Sequence, residues 1–268
     1  MDSVRENRTK DDIITEILLE ISADLENQKC ILLVEGSDDI KFAERVFSEN
    51  VLCIESFSGK EGLKELIEDS SLQKEWVIAV RDRDYMDISR LPQRMFLYDK
   101  CCMELMLLSN KKVAESFHQM FYAGIYEKEI YITNAMRILA PYSVLRRKNE
   151  HEARGIPFDK VGFGDLVQQD GDLDTQKVFG RLRLDSEVFS ECREEANHIC
   201  DEELWNITNG HDLCLYLGTI SRLNKGNLGE TGVRKILLGC YRKEDFKETE
   251  LYHAINTYQA NRNLRFVD

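Results

Sequence analysis

The sequence predicts an α/β protein: a mostly parallel, Rossmann-like sheet with flanking helices, followed by a mainly helical C-terminal region. Three observations predict it. Two apolar, β-branched runs, Cys30–Val34 and Trp76–Val80, lie about 45 residues apart, and acid follows each. Strands buried on both faces, as in parallel sheets, read as such unbroken apolar runs. Between them the pattern switches from helix to strand and back to helix, a β-α-β-α-β-β order. From Cys101 onward helical spacing dominates.

The elements follow in order. Ile13, Ile14, Ile17, Leu18, Ile21 and Leu25 recur at helical spacing over Asp11–Leu25, and Thr9 with Asp12 forms a capping-box pattern. After the first strand, Gly36 is expected to permit a tight turn and Ser37 to cap a helix running to about Phe47. Val51–Ser56 reads as the second strand, Gly59 as a turn and Glu61–Asp69 as a helix. Trp76–Val80 is the third strand and Met95–Tyr98 a short fourth. Beyond it, Met103–Leu108, Val113–Tyr122, Ile130–Leu139, Glu187–Leu204 and Leu213–Leu223 read as helical. Residues 146–176 are polar and glycine-containing, which predicts a long loop or a small β element. The expected domains are an N-terminal helix over 1–27, a sheet domain over 28–110, and a helical region over 111–268 that contacts substrate, partner or a second copy.

At 268 residues with 43% hydrophobic residues, the chain can bury a substantial core. No apolar run approaches the ~18 residues of a membrane span, so no membrane contact is expected. The polar start, Met1 to Lys10, has no signal-peptide character. Eight cysteines without a C-x-x-C pair suit a reducing, cytoplasmic setting, with Cys30, Cys53, Cys214 and Cys240 reading as small core residues. The net charge is −13, concentrated in residues 1–110 and slightly reversed over 206–268. A non-specific nucleic-acid binder ordinarily presents a basic surface. An acidic chain therefore implies a local, metal-assisted contact, a partner covering the acidic face, or a ligand other than nucleic acid.

The chemistry-bearing residues sit at strand ends. Glu35-Gly36 follows the first strand, and Arg81-Asp82-Arg83-Asp84 follows the third. Carboxyl ends of parallel strands are where α/β sheets bind ligands. Glu35, Asp82 and Asp84 would form a repelling cluster unless a cation lies among them, and Mg²⁺ prefers such hard oxygens. The bland alternatives are a Glu35 that caps the next turn and an Asp82/Asp84 pair in a solvated acidic turn. Arg81 and Arg83, interleaved with the acids, are either their salt partners or contacts for a phosphate. Arg146-Arg147-Lys148, Arg181, Arg183, Arg222, Lys225, Arg234-Lys235, Arg242-Lys243, Arg262 and Arg265, with Tyr142, Tyr241 and Tyr258 nearby, form either an RNA path or ordinary solvated faces.

A Glu-Gly at the end of one strand and an Asp-x-Asp after a later one resembles the Toprim domain, over roughly residues 28–110. That domain is the metal-binding module of topoisomerases, primases and the overcoming-lysogenization-defect nucleases. The resemblance implies that Glu35, Asp82 and Asp84 are catalytic and bind one or two Mg²⁺ (or Mn²⁺) ions. In overcoming-lysogenization-defect-type members acid beyond the Glu-Gly serves a second metal, which points to Asp39; favourable charge at a helix N-terminus explains it equally. Tyr98 to Leu107, and Asn209-Gly210-His211-Asp212-Leu213, are similar to elements of a Toprim-like branch, the toxin subunits of PARIS-type anti-phage systems. This narrower likeness implies Glu104 as a further metal ligand and His211 as a phosphate contact or proton shuttle. It further implies an endoribonuclease, with tRNA the favoured substrate, restrained by an ABC-type ATPase partner. Arg83, His211, Arg234 and Lys235 are then the candidate substrate contacts.

Two other readings compete. A haloacid-dehalogenase-like phosphatase uses an Asp-x-Asp after a strand, and Gly164-Asp165 with Asp170 imitates its late metal motif. Met86 stands where that family carries Thr, and Glu35 would be idle. The other is a non-catalytic interaction subunit keeping an acidic pocket for docking.

Overall fold

The computed structural model describes residues 8–26, 28–158, 161–168, 170–223 and 228–268. The chain starts with α1 (Lys10–Ser22), β1 (Cys30–Val34), α2 (Ser37–Val46), β2 (Val51–Glu55), α3 (Gly59–Glu68), β3 (Val77–Arg81) and β4 (Met95–Leu97). It continues through α4 (Met103–Ser109), α5 (Lys111–Phe121), α6 (Tyr131–Glu152), α7 (Thr175–Arg181), α8 (Ser186–Asn197) and α9 (Asp201–Ile207). The last elements are α10 (Gly210–Leu223), α11 (Glu230–Cys240), α12 (Lys243–Phe246) and α13 (Glu250–Ala260). The expected α/β class with a mainly helical later part is what the chain adopts. By contacts it divides into two units, at other points than residues 28 and 111. One unit comprises residues 1–82, 87–99 and 242–268; the other comprises 83–86 and 100–241.

The first unit is built on a four-stranded, all-parallel sheet in the order β2-β1-β3-β4. One face is an apolar cluster of Ile31, Leu33, Ile54, Val77, Ala79 and Met95 with Ile13 and Ile17 of α1 and Leu63, Leu66 and Ile67 of α3. The alternate residues Leu32, Val34, Ile78 and Val80 are buried too, which is why β1, and β3 as far as its last residue Arg81, carry no polar position. Phe42 of α2 meets Phe246 of α12 edge to face at 5.6 Å, and Phe47 lies 5.5 Å from the same ring. The Asp99 carboxylate accepts the Glu250 and Leu251 N–H groups and so caps α13, and the Ser48 N–H donates to the Phe266 carbonyl at 2.9 Å. The C-terminal segment thus completes the sheet unit.

The second unit is helical. All of Met103 to Leu108 in α4 is buried, Glu104 included. α6 runs on through Pro141, where the sequence suggested an end at Leu139. The residues after the proline, Tyr142, Val144 and Leu145, are fully buried, and this packing outweighs the missing N–H. The loop expected over 146–176 therefore begins only after α6. Its described residues include an isolated antiparallel bridge, Val167 to Leu173, before α7 begins at Thr175. The helix expected over 187–204 is two, α8 and α9, separated by His198–Cys200.

Local chemistry explains the best-predicted ends. Thr9 and Asp12 make both bonds of the capping box. At α2 the expected Ser37 cap is displaced: Gly36 is the N-cap, and the Asp39 carboxylate accepts its N–H at 3.0 Å. Nor does Gly36 serve as a special turn residue. Its backbone is extended (φ −154°), and a Cβ there would meet nothing nearer than the Asp39 Oδ2 at 3.8 Å.

Candidate metal and phosphate site

β1 leads through α2 to β2 on one side of itself, and β2 leads through α3 to β3 on the other. The connections diverge between β1 and β3, and in open α/β sheets ligands bind in the crevice beyond such a pair of strands. Glu35 is the first residue past β1 and Asp82 the first past β3. The β1–β3 register pairs Ile31 with Val77 and Leu33 with Ala79; two residues further it sets Glu35 level with Arg81. Side chains at one level of neighbouring strands share a face. Accordingly the Arg81 Nε lies 3.2 Å from the Glu35 Oε1, with the Arg81 side chain only 7% exposed. The same Nε donates to the Asp82 carbonyl at 3.0 Å. Arg81 is thus a salt partner of Glu35.

Asp39 serves the scaffold. Besides capping α2, it accepts the Tyr98 hydroxyl at 2.7 Å, which ties α2 to the end of β4. Neighbouring Asp38 pairs with Lys41 at 2.6 Å. Glu35, Asp39, Asp82, Arg81 and Tyr98 all belong to the carboxyl end of the sheet within the first unit.

The other candidates belong to the second unit. Asp84 has a left-handed backbone (φ 47°), a conformation non-glycine residues hold only when their surroundings impose it. Here its N–H donates to the Cys101 carbonyl at 2.8 Å. Tyr85 donates its hydroxyl to the Ile207 carbonyl at 3.0 Å, and its own carbonyl is 2.9 Å from the His151 Nε2. The segment 83–86 is thereby stapled. The Arg83 Nε is buried without a hydrogen-bond partner among the described residues. Glu104, 4% exposed, lies against the start of α10, where a Cβ on Gly210 would come within 3.0 Å of the Glu104 Cβ and clash with the Cys102 Sγ. The glycine at 210 is needed for this close approach. His211 is exposed, with its Nδ1 3.0 Å from the Glu230 Oε1; Arg234 reaches the same oxygen at 3.6 Å. Two of the candidate substrate contacts therefore converge on one acid. Lys235, next to them, is exposed.

Most other basic candidates are internal partners. Arg146 binds Asp212 through two guanidinium nitrogens, Arg147 binds Glu195 and Glu203, Lys148 binds Glu195, and Arg181 binds Asp165. Arg262 pairs with Glu75, and Lys243 and Arg265 both pair with Asp268. Tyr142 and Tyr241 are buried, so neither is a stacking platform for a base. Lys225 lies outside the described residues. The sequence reading gave no role to Asp212. Its burial pushes the carboxyl pKa up against the pull of the Arg146 guanidinium. The acid directly after His211 was the only local sign of it.

Glu35 and Asp82 supply the hard oxygen donors that Mg²⁺ favours, and Mg²⁺ is commonly held by one or two carboxylates with waters and substrate phosphates completing its shell. That open arrangement fits the donor set. A closed cage does not: among the described residues no group of three or more His, Cys, Asp or Glu stands ready to hold a metal. No family model matches the chain, and no curated protein is significantly similar to it. No helix among the described residues is long and apolar enough to cross a membrane.

Proposed function

We propose that the chain is a metal-dependent nuclease of Toprim type that hydrolyses phosphodiester bonds in RNA, with tRNA the favoured class. The observation that carries this reading is the pair Glu35 and Asp82, each one residue beyond neighbouring parallel strands at the point where the connections diverge. Glu35 and Asp82 would hold a Mg²⁺ or Mn²⁺ ion, with Asp84 two residues further along the chain. The ion, when bound, would polarise the phosphate and make a water more acidic. Glu35, on a rigid strand end, is suited to take or return a proton at the reacting oxygen. Arg83, whose buried Nε has no hydrogen-bond partner among the described residues, is a candidate contact for a phosphate. His211 and Arg234, gathered at Glu230 in the second unit, would contact substrate. Glu104 and Asp39 take structural parts in this reading. The proposal extends to a cytoplasmic toxin of an anti-phage system, restrained by an ABC-type ATPase and able to pair with a second copy.

One observation favours a second reading. The ion pair between Arg81 and Glu35 neutralises the acid on which catalysis would depend, as in a non-catalytic subunit whose acidic pocket serves docking. The phosphatase reading has no such support: Asp165 pairs with Arg181 in a turn and ends no strand.

The deciding experiment incubates the purified chain, without any ATPase, with bulk tRNA, ribosomal RNA or single-stranded DNA in Mg²⁺ or Mn²⁺. Discrete tRNA fragments are expected. Glu35→Gln should slow their appearance by roughly 10²-fold or more while the far-UV circular dichroism stays unchanged. Cleaved DNA would change the substrate and keep the chemistry. Intact nucleic acid throughout would leave the docking subunit as the better account.

A further inference from the structure

We propose that Arg81 is a built-in counter-cation that keeps the Glu35/Asp82 pair from binding a divalent metal tightly unless an anionic ligand comes with it; this rests on the reading of those carboxylates as a metal site. Arg81 ends β3, and the β1–β3 register sets it level with Glu35. Its Nε stands 3.2 Å from the Glu35 Oε1 and 3.0 Å from the Asp82 carbonyl, so one guanidinium spans both strand ends. The side chain is 7% exposed, against 22% for Glu35. A guanidinium does not lose its proton in a protein. Its charge therefore remains when a dication arrives, and like charges a few ångströms apart repel strongly where water is scarce. Swinging Arg81 away is no easier, because a buried charge stripped of its partner is strongly unfavourable.

A lone dication must then either share Glu35 with Arg81 or displace it. A phosphate group changes the balance. It adds negative charge that both the metal and Arg81 can face, and it supplies the remaining oxygens of the metal shell. Metal loading and substrate loading become one event, which keeps an unoccupied site free of metal.

The full-length chain is titrated with MnCl₂ alone in a calorimeter, as wild type and as Arg81→Met, Arg81→Gln, Arg81→Lys and the double variant Arg81→Met/Glu35→Gln. Weak binding is expected for wild type and for Arg81→Lys, which keeps the charge. Arg81→Met and Arg81→Gln should bind at least about ten-fold more tightly, and Mn²⁺ should raise their melting temperatures more than that of wild type. The double variant should lose the tight site. If Arg81→Met does not fold, Arg81→Gln, which retains a hydrogen-bond donor, decides by the same titration. Binding that needs Glu35 but is unchanged or weaker in the neutral variants overturns the role of Arg81 and leaves the metal site standing. Tightening in Arg81→Lys equal to that in Arg81→Met overturns it as well, since charge would not be the cause. Absence of Mn²⁺ binding in every variant overturns the metal site and this inference together.

Discussion

Arg146 shows how single residues decide what a basic position can do. Its guanidinium grips both oxygens of the buried Asp212 and lies over the rings of Phe158, at 4.3 Å, and Tyr142, at 5.3 Å. Only a flat, forked cation satisfies a carboxylate edge-on and aromatic rings face-on, so lysine would not replace it. An Arg146→Met variant leaves Asp212 without its cation in a site that is 5% exposed. The expected cost is about 3–5 kcal/mol, read from urea denaturation at neutral pH. Adding Asp212→Asn should recover a large part of it. A cost below about 1 kcal/mol would put the pair in solvent instead.

At the level of elements, the first helix is held at both its cap and its side. Ile13 and Ile17 enter the sheet core, and the Lys10 Nζ meets Asp69 at 2.7 Å. Asp69 also accepts the backbone N–H and hydroxyl of Ser71, starting the 3-10 turn Ser70–Leu72. Hydrogen bonds from Lys10 and Ser71 hold its carboxyl down at about 2, against an ordinary 3.8. A depressed acid stabilises the fold above its unfolded pKa, and that contribution disappears as pH falls through the folded one. Stability should therefore drop between pH 4 and pH 2, and Asp69→Asn should flatten that part of the profile. Urea midpoints measured across this range test it. Parallel curves for variant and wild type would mean that Asp69 is not held by these bonds in solution.

For the whole molecule, the main fact is that the chain returns. Residues 242–268 belong with the sheet formed by the first hundred residues. Phe246 and Phe266 are fully buried, and burial of each contributes roughly 1.5–3 kcal/mol. Their loss, with that of the α13 cap contacts to Asp99, approaches the entire stability of an ordinary domain. Truncation after Tyr241 should therefore unfold the sheet unit. Hydrogen exchange followed by mass spectrometry would show amides of β1 and β3 losing protection. Retained protection there would make the C-terminal segment dispensable.

Much of the fold was legible because its signals are local. β1 reads as a strand at its true limits, since a strand buried on both faces leaves no polar residue in the run. The Thr9 cap reads correctly because its partner lies three residues away. The strand-end positions of Glu35 and Asp82 were visible for the same reason. What the sequence by itself determined is this alternation of strands and helices, and with it where acids meet strand ends. Only tertiary structure decided the rest: that Arg81 lies level with Glu35, that α6 outlasts Pro141, that Arg146 serves Asp212, and that the C-terminus joins the sheet. Each depends on residues brought together from distant parts of the chain. Register and burial set such contacts, and neither is written in the spacing of neighbours.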